Sequence, residues 1–200
     1  MSTPDAALRA RNLRTLGLLA ALFLLPLALA FFTYYATAWR PAGHVNHGTL
    51  ISPARPLPKE ALPHETLAEA AGGATPLHGL WSLVYAGDGA CDDACRAALY
   101  FMRQTRLGLN NDMTRVARVF VATGDCCARE ALARDYPGLV LIDAGGAAGA
   151  PLRAALPAPH EHTVFVVDPL GNLMMSYDVR DDPRGLLEDL KKLLRLSHIG

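Results

Sequence analysis

Cys91 and Cys95 stand four positions apart in GDGACDDACRAALYFMR, residues 87–103. Thiolates attack disulfides and bind soft metals. If Cys91 opens a helix, both sulfurs lie on one helix face, because positions i and i+4 stack. The unpaired N–H groups and dipole of the first turn then favour the thiolate. Asp88, Asp92 and Asp93 act the other way, disfavouring a thiolate and favouring a bound cation. The balance leans from thiol exchange towards metal, and both chemistries stay open.

Zinc calls for four ligands and iron–sulfur clusters usually for four cysteines. Two cysteines and one histidine suit three-coordinate copper, and thiolate softness selects Cu(I). A third ligand is available in PAPHEHTVFVVDP, residues 157–169, which holds His160 and His162. These differ by two positions, so both can face one side of an extended segment. The expected metal set is Cys91 and Cys95 with His160 or His162. If the chemistry is thiol–disulfide exchange, Cys91 and Cys95 are the catalytic pair.

Other reactive side chains carry weaker signals. Four cysteines allow three pairings, and spacing does not choose among them. Adjacent cysteines rarely bond each other. Cys126 and Cys127 are therefore read as two small residues opening a helix, with an auxiliary redox pair as the alternative. Met174 and Met175 are read as core filler. His44, His47 and His64 lie in a proline-rich stretch with no third ligand fixed nearby, so no metal site is assigned to them.

The elements that must position the pair begin at residue 77. Apolar, β-branched and aromatic runs predict strands at 79–86, 115–123, 138–143, 162–168 and 173–178. Helical spacing is expected over 92–109, 127–135 and 151–156. A last helix opens with Asp182 as cap and Pro183 at its first position. Leu186, Leu187, Leu190, Leu193 and Leu194 form its apolar face. The order βαβαβαββα predicts an α/β, thioredoxin-like sheet with helices on both faces. In such a sheet the start of the fourth strand, with His160 and His162, abuts the cysteine loop.

Residues 16–39 are free of charge. A helix of that length, at about 1.5 Å per residue, crosses the roughly 30 Å hydrocarbon core of a bilayer. Tyr34, Tyr35 and Trp39 suit an interfacial belt, and Pro26 is tolerable in a membrane helix. Arg9, Arg11 and Arg14 precede the segment, placing residues 1–15 in the cytoplasm and the domain across the membrane. Ala28-Leu29-Ala30 offers the rival reading of a cleaved signal, although apolar and aromatic residues continue well past it. Residues 40–76 read as a proline- and histidine-rich linker, with a short strand near 49–51. The domain is thus expected in the bacterial periplasm behind a single-pass inner-membrane anchor, a mitochondrial inner membrane fitting equally. Thiols there meet oxidising conditions, which speaks against a pair that only fills space. Net charge is zero, with 19 basic and 19 acidic residues and no basic stripe, so nothing argues for nucleic acid as a partner.

WSLVYAGDGACDDAC, residues 81–95, resembles the Sco/SenC family of membrane-anchored, thioredoxin-like proteins that help assemble the copper A centre of cytochrome c oxidase. Trp81, Tyr85 and Gly87 precede Cys91 and Cys95 in the family's order, and Asp168-Pro169-Leu170-Gly171 matches its downstream turn. The resemblance implies copper carriage to the copper-binding subunit of the oxidase, with a distal histidine as third ligand. Counting back from Pro169 favours His160; the His-Thr-Val context favours His162. Asp92 and Arg96 stand where the family commonly has prolines, and GDCCARE replaces an acidic-proline stretch. These departures mark a divergent branch. Reduction of the oxidase's cysteines by the same pair is the alternative, and a non-catalytic interaction module the third; whether the chain is an enzyme stays open.

Overall fold

A computed structural model describes residues 4–36, 45–59, 63–68, 76–157, 161–182, 184–197 and 199–200. The chain divides into two compact units, Met1–Val45 and Asn46–Gly200.

The first unit holds one helix, α1 (Pro4–Ala36). It starts well before residue 16, so the charged N-terminal stretch is itself mostly helical. From Leu8 to Ala36 it is long and apolar enough to cross a membrane. Its leucines and phenylalanines are exposed on every side. Residues 37–39, including Trp39, lie outside the described residues.

The second unit is a seven-stranded mixed sheet. Its strands are β1 (Thr49–Pro56), β2 (His64–Thr66), β3 (Trp81–Gly87), β4 (Val116–Ala122), β5 (Leu139–Asp143), β6 (Thr163–Val167) and β7 (Asn172–Asp178). They lie in the order β1-β7-β6-β3-β4-β5-β2. The helices are α2 (Asp93–Leu107), α3 (Arg129–Asp135), α4 (Ala150–Ala155) and α5 (Gly185–Leu196). From β3 to α5 the order is the expected βαβαβαββα.

Strands β3, β4 and β5 run parallel, from Trp81↔Val116 to Gly87↔Ala122 in the first pair. This follows from the helical crossovers α2 and α3, which return the chain to the same end of the sheet. Strand β6 runs antiparallel to β3, with Tyr85 opposite Val164. The start of β6 therefore lies beside the end of β3.

Alternation sorts the side chains into two cores. Trp81, Leu83, Tyr85, Phe120 and Leu141 face α2 and α5, where they meet Leu99, Met102, Leu186, Leu190 and Leu194. Val84, Val119, Val121, Phe165 and Val167 face the other way, against Leu152 and Leu156 at α4. Each fully buried side chain of this size is worth roughly 1.5–3 kcal/mol. Leu186, Leu190 and Leu194 lie one helical turn apart, which is why α5 sits flat on the sheet.

The linker differs from expectation. It contributes both edge strands: β1 pairs with β7 and β2 pairs with β5. Asp189, buried on α5, holds the β1 end in place. Its Oδ2 accepts hydrogen bonds from His47 N (2.7 Å), Gly48 N (3.3 Å) and the Tyr177 hydroxyl (2.7 Å). Asp182 accepts from the backbone N–H of Arg184 and Gly185 at the start of α5. Pro183 lies outside the described residues.

Candidate functional site

The cysteine loop leaves β3 at Gly87 and turns into α2. Asp88 shapes the turn: its Oδ1 accepts from Ala90 N (2.8 Å) and its carbonyl from Cys91 N (3.1 Å). Cys91 then takes a left-handed backbone, φ +50°. Asp92 is the N-cap of α2, its Oδ1 accepting from Cys95 N at 2.9 Å. The helix thus starts one residue later than expected. Asp92 has φ −67°, the value a proline ring imposes. The backbone at Asp92 takes an angle a proline could also adopt, while its carboxylate adds a cap.

Cys91 and Cys95 are joined in a disulfide with Cα atoms 5.0 Å apart. Their residues are only 3% and 1% exposed. Arg96 closes the turn from outside, donating from Nη1 to Cys91 O (2.7 Å) and from Nη2 to Asp93. The Tyr136 hydroxyl donates to Arg96 O at 3.0 Å.

Tyr85 stands beneath the loop and donates to the carbonyl of Glu161 at 3.1 Å. Burial first, then the carboxylates of Asp92 and Glu161, push its phenol up to about 12. This hydrogen bond ties the start of β6 to the end of β3, on the side of the cysteine loop.

His162 follows Glu161. It lines a cleft of about 550 Å³ with Ala97, Phe101, Gln104 and Leu187. Its Nδ1 is buried with no hydrogen-bond partner among the described residues. The cleft runs along α2, and no cysteine lines it. His160 lies outside the described residues. Among those described, no three His, Cys, Asp or Glu side chains are gathered as a metal cluster. The structure joins the two cysteines and brings His162 to the flank of the same helix.

Cys126 and Cys127 correct a reading. They do not open α3, which starts at Arg129, but lie in the loop before it. They are bonded to each other across a cis peptide. The loop lies against the first one: Thr123 N and Oγ1 both donate to Gly87 O, at 2.9 and 3.1 Å. A Cβ on Gly89 would strike the carbonyl oxygen of Asp125 and come within 2.8 Å of Cys126 Cα. Only glycine fits there. The sequence signal for this contact was the GDG ahead of Cys91, a pair of glycines at a point of backbone approach. Tyr136, far along the chain, gave no such signal.

A pair of sulfurs at a capped helix start can cycle between disulfide and dithiol, and the dithiol can take a soft metal. The buried Nδ1 of His162 is a further donor whose chemistry fits copper.

The family model of the transmembrane-like, thioredoxin-like, C-terminal domain matches residues 81–197, and the chain belongs to that family. The chain is similar to apo Sco1 from Thermus thermophilus, with 18% identity and a TM-score of 0.49 over 78% of this chain and 99% of that one. It is similar to copper-bound ScoI from Arabidopsis thaliana, with 18% identity and a TM-score of 0.48 over 60% and 88%. It is also similar to the thioredoxin domain of a thiol-disulfide oxidoreductase from Bacteroides vulgatus, with 18% identity and a TM-score of 0.44 over 68% and 96%. No curated protein matches it.

Proposed function

We propose that this chain is a membrane-anchored copper carrier for the assembly of cytochrome c oxidase. Reduced Cys91 and Cys95 hold Cu(I) as cargo, with His160 or His162 as third ligand. The observation that carries the reading is the placement of both sulfurs across one capped helical turn, with Cα atoms 5.0 Å apart. Reduction there yields two neighbouring thiolate donors. The tie from Tyr85 to Glu161 supports a histidine of the adjoining segment as the third donor. The resemblance of WSLVYAGDGACDDAC to Sco/SenC proteins supports the oxidase, and its copper-binding subunit, as recipient.

Arg9, Arg11 and Arg14 ahead of the apolar stretch support a cytoplasmic N-terminus. The thioredoxin-like domain then lies in the periplasm of a bacterium, behind a single span of the inner membrane.

Titration of the reduced full chain with Cu(I) in detergent micelles tests the reading. One copper per chain is expected, lost in Cys91→Ser and in Cys95→Ser and weakened in one of His160→Ala and His162→Ala. No copper taken up at any ratio overturns it.

A second reading is favoured by a specific observation: the two cysteines are bonded to each other, as in the resting state of a thiol–disulfide oxidoreductase. Under it, the pair exchanges with cysteines of the oxidase or of other exported proteins. A mixed disulfide trapped with Cys95→Ser, together with wild-type behaviour of both histidine variants, would decide for it.

A further inference from the structure

The Cys91–Cys95 disulfide is hard to reach. Its residues are 3% and 1% exposed, while Arg96 hydrogen-bonds to the Cys91 carbonyl at the turn. Exchange needs a thiolate in line with the S–S bond, and this burial restricts the approach of an external protein thiol. The Cys126–Cys127 disulfide is different. Both residues are half-buried, so part of each meets solvent, and both pack on the core cluster that contains Cys91 and Cys95. Their loop touches the Cys91 loop through Gly89, at Asp125 and Cys126. Thr123 bonds the same loops at Gly87. One pair is thus buried and the other partly exposed, on two loops that touch.

We propose that Cys126–Cys127 is a second redox centre, which passes disulfide between an external protein thiol and the inner pair. A thiolate of reduced Cys91 or Cys95 attacks one sulfur of the Cys126–Cys127 disulfide. An S–S bond forms between the pairs and one outer thiolate leaves. The second inner thiol, as thiolate, attacks the inner sulfur of that bridge, forming Cys91–Cys95 and releasing the other outer thiolate. Two electrons pass to the outer pair, and the two inner protons end on its thiols. The reverse course reduces the inner disulfide at the expense of an outer dithiol. The proposal rests on the inner pair being redox-active and needs no copper.

The test uses the oxidised full chain in detergent micelles with excess reduced glutathione as the external thiol. Samples are quenched in acid, alkylated and mapped by mass. The inner disulfide of Cys126→Ser/Cys127→Ser is expected to be reduced at least tenfold more slowly than that of wild type; a smaller effect overturns the proposal. A second measurement needs no variant. Fully reduced wild type receives one equivalent of diamide, which takes two electrons and two protons from one dithiol. The disulfide should appear first on Cys126–Cys127 and then on Cys91–Cys95, at a rate unchanged by tenfold dilution. Absence of migration, or a rate that falls with dilution, overturns it. A chain that binds no copper yet passes both measurements removes the copper reading and leaves the relay. A chain that binds copper and fails them does the opposite.

Discussion

Asp92 caps the helix that carries Cys95: its Oδ1 accepts the Cys95 backbone N–H at 2.9 Å. Asp92, directly after the first cysteine, therefore holds the second one in place.

Loss of this cap leaves an N–H of the first turn unpaired. Asp92→Ala is expected to cost about 1 kcal/mol. At this domain size that lowers the melting temperature by about 2–4 °C. Thermal unfolding followed by circular dichroism checks it; an unchanged melting temperature would show that the cap contributes nothing.

Asp189 gathers three donors on one oxygen. Asp189→Ala leaves the Tyr177 hydroxyl and two backbone N–H groups without it, and each unsatisfied buried donor costs about 1–3 kcal/mol. A loss on the order of 3 kcal/mol is expected, read as a shifted denaturant midpoint. Limited proteolysis should then cut near residues 47–49 sooner than in wild type. Equal cleavage would refute the role of Asp189 in holding β1.

Tyr85 gives a pH dependence with a definite sign. Its folded pKa, about 12, lies above the ordinary 10.0. The native state thus holds the phenolic proton more tightly than the unfolded chain. That stability is fully present below pH 10 and is lost as pH rises through about 12. Phenolate absorbance in an alkaline titration should show a late fraction that shrinks by one tyrosine in Tyr85→Phe. Tyr177, pushed upward by burial and by its bond to Asp189, stays in that fraction. A Tyr85→Phe curve identical to wild type would contradict the shift.

Much of this fold can be read from the chain alone. Runs such as SLVYA and VFVV are dense in β-branched and aromatic residues, and their alternation sorts one face from the other. The leucines of α5 repeat at helical spacing, so its buried face was visible as well. Strand β2 was not, because His64, Glu65 and Thr66 are three partly polar residues that pair only because β5 offers an edge. Strand β1 runs beyond its expected end because, after an irregularity past Leu50, the chain pairs with β7 again at Arg55 and Pro56. The site was legible where it is local. Cys91, Asp92 and Cys95 lie within one turn, and their positions follow from the helix start. The Cys126–Cys127 bond contradicted the general reluctance of neighbouring cysteines to pair. The contact of that loop with Gly89 spans more than thirty residues of sequence, which no local pattern reports.

The two edge strands have a consequence for how the domain meets other proteins. One edge ends in a three-residue strand; the other carries Pro53 and Pro56, which lack an N–H to donate, and Arg55, whose side chain is exposed. Such edges make poor templates for an added strand. Neighbouring copies are thereby kept from zipping together sheet to sheet. A protein partner would then have to be recognised by side chains rather than by an added strand.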